Sequence, residues 1–470
     1  MPESTPANKQ DQKSGTRLIY KLFRIITVVK PGELPKTLLL SLNIFLIFVA
    51  YYILKILRDT IVLDDYGAFT KNMMSGIMVI LLIFAIKAYS KIASKVSREK
   101  LITWVTLFFI INIGVIFFLF TTGILGRSMS LIYFIWVGIF NLMIVAQFWG
   151  FANDLFTEEE GKRLFPIIMF GANLGGFIGA MFLSILLDPK TTPPIVMYLM
   201  LLVSAVILGF CILLTNIIHK RELKNKIAKA VQEEIPQTSE EKEEEKPLGK
   251  DGGFKLVFKS RYLLYIAFFV LLLNVINTTG EYIRDAVFGL ATDAAVESGE
   301  IAARGSLIML GKLVSNFYLY VNIFTLFVQL FVVSRLFKYF GVRSAVFVLP
   351  FIALGGNIAM SLGASLIVVV IAKVFENGTD YSLTNTTRQA LFLITSREEK
   401  YKAKVTIDAF FQRAGDLGSS ILVIIGTQVL FMSIEGMARV SVVIAIVWIF
   451  LCVLIAKEYK KKQKSRASQS

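Results

Sequence analysis

"YILKILRDTIVL", residues 52–63, closes an apolar run long enough to cross a membrane, yet it carries three charges. Lys55, Arg58 and Asp59 fall three and four residues apart, so a helix places them on one face. A second run ends the same way. "GEYIRDAVFG", residues 280–289, repeats the Arg-Asp pair at Arg284 and Asp285.

The 470-residue chain is 55% hydrophobic, with 39 Phe and a mean hydropathy of +0.67. Charged residues make up 18%, below the roughly 25% of soluble domains. Apolar runs of about 20 residues recur along its length, each matching a hydrocarbon core of about 30 Å. The composition therefore specifies an all-α polytopic membrane protein. Its net charge of +16 is concentrated in short loops of one side, which is a positive-inside bias, and no nucleic-acid partner is expected. Cys211 and Cys452 lie in apolar runs and His219 is the only histidine. No disulfide framework, zinc site or histidine-based catalysis is expected, and no cofactor. No secretory signal peptide is evident.

Residues 1–36 read as a cytoplasmic tail in which "RLIYKLFRIITVV", 17–29, places Arg17, Lys21 and Arg24 on one face of an interfacial amphipathic helix. Candidate spans follow near 37–57, 72–90, 101–123, 128–150, 164–187 and 194–218, forming a first six-helix bundle over 37–218. A charged, apolar-poor stretch, 219–261, reads as a solvated cytoplasmic linker. A second bundle, 262–456, holds spans near 262–282, 311–334, 341–361, 366–393, 405–432 and 436–456, before a basic tail, 457–470. Basic connections place both termini and the linker in the cytoplasm of a cell with the chain in its inner membrane. A monomer surrounded by membrane lipids is expected.

Internal repeats relate the two bundles. "LRD" at 57–59 and "IRD" at 283–285 are 226 residues apart, whereas "YSKIASK" from Tyr89 and "VSRLFKY" from Val333 are 244 apart. "GANLGGFIGA" from Gly171 matches "AGDLGSSILV" from Ala414 at an offset of 243. One insertion of about 18 residues within 288–306 accounts for the jump. Two parallel six-helix halves are the major-facilitator arrangement, with its site between them near the midplane.

That site is where charges collect. Span ten carries Lys373, Glu376, Asp380 and Arg388, and span eleven carries Asp408, Arg413 and Asp416. A charge at the bilayer centre costs roughly 2.5–3.5 kcal/mol, so these must pair or face a water-filled pathway. Asp59, Asp285, Glu376, Asp380, Asp408, Arg413 and Asp416 are the candidates for coupling or gating. Lys55 occupies the slot matching Glu281, each three residues before the Arg of its Arg-Asp pair, and the opposite signs predict a pair across the central axis. The intramembrane charges nearly balance, whereas a site for a polyanion should be net basic.

"ILRDT" at 56–60, "QFWGFAND" at 147–154 followed by "EEGKRLFPIIMFGAN", "DYSLTNTTRQ" at 380–389 and "EEKYKAKVTID" at 398–408 together resemble the nucleotide transporter family, the ATP/ADP antiporters of plastids and intracellular bacteria. Spacing and order agree over most of 37–456. The resemblance implies a twelve-helix, major-facilitator-like fold and exchange of adenine nucleotides. It implies essential charges at Glu160, at Glu281 and at Lys404, with Lys402 as neighbour. The chain departs from the family where a lysine should follow "RDT": Ile61 stands there, and Lys55 is the substitute. In span ten "NTTR" keeps a charge at Arg388 without the family's proline.

Chemistry accommodates a nucleotide. Arg58, Arg284, Arg388 and Lys404 offer guanidinium and ammonium groups for phosphates, with Arg388 predicted to reach an anionic group as the deepest separated base of span ten. Phe148, Trp149, Tyr381 and Asn385 offer partners for a base. No "GxxxxGK[ST]" occurs, so hydrolysis is not expected. The alternative is a major-facilitator-type carrier of another organic anion or metabolite, proton-coupled through Asp59, Asp285 or Glu376. A membrane enzyme would need clustered His, Cys or paired acids at a membrane face, and none stands out. A non-transporting receptor or scaffold is separated from either carrier by uptake into vesicles.

Overall fold

In hydrocarbon every backbone N–H and C=O must be satisfied within the protein, and continuous helices achieve this segment by segment. The computed structural model describes residues 33–93, 98–232, 252–396 and 398–467. The interfacial helix expected at 17–29, the middle of the linker and the last three residues lie outside the described residues.

Helices α1 (33–66) and α2 (68–93) are continuous except at Gly67, whose φ of 75° and ψ of 179° break the ladder where only glycine is unstrained. Then come α3 (Arg98–Thr122), α4 (Ser128–Leu155), α5 (Glu158–Leu186), α6 (Ile195–Gln232) and α7 (Arg261–Glu297). Helices α8 (306–340) and α9 (342–362) meet at a second glycine break, Gly341, with φ 73°. Helices α10 (366–391), α11 (399–429) and α12 (Ile434–Ala467) complete the set. The described residues thus hold the twelve crossings read from the sequence. Eight stretches are long and apolar enough to span on length and composition. The rest are α2, fused to α1, the shorter α9, and α10 and α11, which carry the intramembrane charges.

The start of the expected linker is helical. Helix α6 runs on to Gln232, so residues 219–232 continue the last span of the first half, and a short helix, Gly253–Lys259, precedes α7. Lys and Ala, which supply six of residues 219–232, are strong helix formers, and a preceding span supplies the nucleus they need.

Because the helices alternate in direction, the bundle has a proximal end, near residues 33 and 467, and a distal end, near 64–68, 188–194 and 298–305. Helices α1 and α2 pack on α4, α5 and α6, while α7 packs on α11 and α12. The halves meet where α5 lies against α8, where α2 lies against α11, and where α1 and α2 approach α7. Residues of α8, including Val314, Phe317 and Val321, belong to the apolar core of the first half.

The repeat has a structural counterpart at each level. Gly171 and Gly179 on α5 let α1 approach so closely that a Cβ at either would stand 2.6 Å from the Ser41 oxygen or 2.9 Å from the Val49 oxygen. Gly415 on α11, which aligns with Ala172, has the Leu271 oxygen of α7 at 2.6 Å, so a close glycine contact to the first helix recurs one position along. At the proximal end Lys36 Nζ donates to the Leu155 oxygen (2.7 Å), and Tyr262, 226 residues later, donates to the Leu391 oxygen (2.8 Å). Each half thereby ties its first helix to the last turn of its fourth.

Small residues drive such contacts in membranes because lipid supplies no hydrophobic force between helices. Gly171→Ala should cost about 1–3 kcal/mol and lower the thermal midpoint in detergent. Gly114→Ala on the exposed face of α3, where nothing lies within 4 Å, should not lower it. Equal midpoints for the two variants would show that the close approach contributes nothing.

Candidate substrate site and distal gate

Neighbouring helix residues point about 100° apart, so an Arg meets the Asp beside it only by folding its long side chain back. Both halves do this. Arg58 Nε and Nη2 donate to Asp59 Oδ1 at 2.9 and 2.6 Å, and Arg284 Nε and Nη2 donate to Asp285 Oδ1 at 3.0 and 2.7 Å. The guanidinium of Arg58 lies 4.6 Å from the ring centre of Phe134, and that of Arg284 lies 4.5 Å from Phe317, which adds cation–π attraction.

Within this charged cluster two bonds then cross between the halves, while beside it Ser420 Oγ of α11 donates to the Asn72 carbonyl at 3.0 Å and Lys312 of α8 donates to the Ser184 carbonyl of α5. Lys71 Nζ, on α2, donates to Asp285 Oδ2 at 2.6 Å and lies 3.7 Å from Asp59 Oδ1. The Tyr318 hydroxyl, on α8, donates to Asp59 Oδ2 at 2.8 Å. Lys71, Asp59, Asp285 and Arg284 are all at most 5% exposed. Further out, Ser306 Oγ donates to Asp64 Oδ1 at 2.9 Å. The distal ends of α1, α2, α7 and α8 are therefore joined. Sequence reasoning missed Lys71; its one signal is that it is the first base after the distal glycine break, in "DDYGAFTK".

Proximal to this seal, Tyr51, Lys55 and Arg58 form the less buried stripe of α1, and Asn277 and Glu281 form that of α7. Lys55 Nζ sits 4.2 Å from the ring centre of Tyr318 and 5.5 Å from that of Tyr52. Among the described residues neither Lys55 nor Glu281 has an ion-pair partner within 4 Å, so the expected Lys55–Glu281 pair is not made in this conformation. Lys71 crosses between the halves instead. Glu281 remains within electrostatic reach of Lys55, Tyr51, Tyr318 and Tyr381.

Helix α10 reaches this space through Gly280, the glycine that opens the second charged motif. Lys373 is fully buried, and a Cβ at position 280 would lie 2.7 Å from its Nζ. That ammonium donates to Glu376 Oε1 (2.6 Å), to Asn277 Oδ1 (3.1 Å) and to the Asn277 carbonyl (3.2 Å). A π-helical turn, Asp380–Thr384, follows, with Tyr381 half-buried and Asn385 exposed. On α11, Asp416 accepts from Arg413 Nη1 (3.2 Å) and from Thr278 Oγ1 of α7 (3.1 Å).

Arg388 differs from its expectation. It lies in the last turn of α10, near the proximal end, and its guanidinium is bonded to Asp408 of α11; the deeper base of span ten is Lys373. Asp380 is also within its electrostatic reach. The proximal residues have local partners as well. Glu160 Oε2 accepts from the Thr157 amide (2.9 Å) in a capping box that starts α5, 3.9 Å from Lys36. Ser396 and Glu399 form the same box in the second half. Lys402 pairs with Glu398 at 3.2 Å, and Lys404 bonds Gln389. Phe148 is buried in the first half beside Asn43 and Gln147, and Trp149 packs edge-on against Phe165, so neither joins the central group.

The residue match covers most of this architecture. Residues 124–462, nearly three quarters of the chain, match the sequence model described as TLC ATP/ADP transporter. The chain belongs to that transporter family. The transporter is 24% identical to the ADP,ATP carrier protein 5 of Rickettsia bellii over 91% of this chain and 95% of that one. It is also 24% identical to the ADP,ATP carrier protein 2 of Chlamydia pneumoniae, over 70% of this chain and 65% of that one. Among solved structures, the nucleoside transporter NupG superposes with a TM-score of 0.56 at 11% identity, covering 91% of this chain and 99% of that one. A bacterial homologue of the lysosomal transporter Spinster gives 0.59 at 13% identity, covering 92% and 99%. The transporter is a multi-pass membrane protein with the major-facilitator-like fold, and it is not an enzyme.

Its buried Lys373–Glu376 pair is sensitive to losing one partner. Glu376→Met alone should cost about 3–5 kcal/mol of stability, because a buried ammonium loses its carboxylate. Lys373→Met with Glu376→Met should recover most of that loss in thermal unfolding. If the single variant melts with the wild type, the pair is not holding α10 in place.

Proposed function

We propose that this transporter exchanges adenine nucleotides, ATP for ADP, by alternating access around a site between its halves. The observation that carries the reading is Lys55. It is the base on the central stripe of α1 with rings rather than carboxylates as its nearest partners, and it lies just proximal to a closed seal. An ammonium held against phenol rings is available to a phosphate without first breaking an ion pair. Arg413, whose side chain is 41% exposed, is the second base in reach of entering substrate. Tyr51 and Tyr381 offer faces for the base, and Asn385 offers an amide.

The lining becomes more open towards the proximal end. Asp59 and Asp285 at the seal are buried, whereas Asn385 and Gln389 are exposed. The substrate therefore enters proximally in this conformation. Lys402, Lys404, Arg388 and Glu160 stand around that entrance, where exposed charge attracts or screens an anion before it reaches Lys55. The basic proximal loops support a reading in which both termini are cytoplasmic and the transporter lies in a bacterial inner membrane, and a monomer is part of that proposal. Its two bundles, 37–218 and 262–456, move as units about the site. Lipid covers the outward apolar faces, including Trp104, Phe108 and Phe118 of α3.

Proteoliposomes loaded with ADP should take up labelled ATP, and empty ones should not. Lys55→Gln should lower the initial rate at least about tenfold, about 1.4 kcal/mol, with the protein still folded. Uptake driven by a pH gradient and indifferent to internal nucleotide would instead favour the proton-coupled carrier of another anion.

A further inference from the structure

The distal seal contains three cations, Lys71, Arg58 and Arg284, against two carboxylates, Asp59 and Asp285, and its connections are unequal. Each Arg bonds the Asp next to it in its own helix, so those pairs travel with their own half. Only Lys71 to Asp285 and Tyr318 to Asp59 join one half to the other within this cluster. The repeat supplies an Arg-Asp pair twice, but the lysine comes from the first half alone, and the second half answers with a phenol.

We propose that Lys71 is the latch of the distal gate, the positioning residue whose transfer between two acids lets the halves part there. The inference rests on the alternating-access reading and adds the residue that controls one of its ends. Its physical basis is that the latch can release without leaving any ion alone. When α2 and α7 separate, Lys71 gives up Asp285 but keeps Asp59 of its own half, now 3.7 Å away. Asp285 keeps two bonds from Arg284, and Asp59 keeps two from Arg58. A buried pair that splits usually leaves an uncompensated charge, and that penalty would lock the gate. Here it does not arise. Lys55 is unsuited to the task, because rings, not carboxylates, surround its ammonium.

The same reasoning makes Lys71→Gln a safe variant: it removes the crossing bond and leaves both Arg-Asp pairs complete. Spin labels at Leu125→Cys in the α3–α4 loop and Leu430→Cys after α11 report the distal separation, since both positions are exposed and the native cysteines Cys211 and Cys452 are buried. Without nucleotide, the wild type should show mainly the shorter distance. In Lys71→Gln the longer-distance population should rise at least about threefold. Tyr318→Phe, which removes the other crossing bond, should shift it the same way. Folded Lys71→Gln with the wild-type distribution would overturn the latch, and so would failure of that variant to fold, which would make Lys71 a structural residue. Because no nucleotide is present, these distances are unaffected by whether ATP is the cargo. Normal gate behaviour in a chain that moves no nucleotide would count against the exchange reading alone.

Discussion

A charge in hydrocarbon must have a partner, and in this transporter the partner is nearly always close at hand. Arg58 has Asp59, Arg284 has Asp285, Lys373 has Glu376, Arg413 has Asp416 and Arg388 has Asp408. This constraint accounts for the near balance of intramembrane charge, which is awkward for a protein handling polyanions when charges are merely counted. Most of the acids neutralise structural bases. Among the intramembrane charges, Lys55, Glu281 and Asp380 are left without an ion pair within 4 Å among the described residues, and the proposed function rests on the one base of that remainder, Lys55 on its aromatic support.

The two halves share a scaffold but not a chemistry. Close glycine contacts, first-to-fourth helix ties and capping boxes recur in both, so these features belong to the bundle itself. The π-helical turns do not recur. Among the described residues all of them lie in the second half, at Val328–Val332 in α8, Asp380–Thr384 in α10, and Glu399–Ala403, Ile407–Phe411 and Ile425–Val429 in α11. An extra residue in a helical turn re-aims the side chains beyond it, and such turns cluster at functional sites. In α10 the turn contains Tyr381 and precedes Asn385. The second half thus differs locally from the first where α10 and α11 carry the intramembrane charges.

Glu160 illustrates how a residue can matter without touching cargo. Its carboxylate closes the capping box of α5 and lies near Lys36, which itself holds the last turn of α4. Removing it would loosen three helix ends at the proximal end of the bundle. A functional effect of that change would not by itself make Glu160 a ligand of the substrate.

The twelve crossings, the two-half repeat and the helices that carry the charged stripes were legible in the sequence. They follow from local quantities: hydropathy over about 20 residues, helical spacing, and offsets between similar segments. Even the glycines of "GANLGGFIGA" revealed the repeat, although not that they face α1. The pairing of charges was not legible in the same way. Lys55 and Glu281 occupy matching slots with opposite signs, yet Lys71, with no counterpart in the repeat, makes the crossing bond to an Asp 214 residues away. Arg388 looked isolated because Asp408, its partner, belongs to the next helix. Local sequence determined which helices form and what they carry, because helix formation and membrane insertion depend on neighbours in the chain. Only the tertiary structure decided which base meets which acid, because that depends on a few ångströms of separation between helices far apart in sequence.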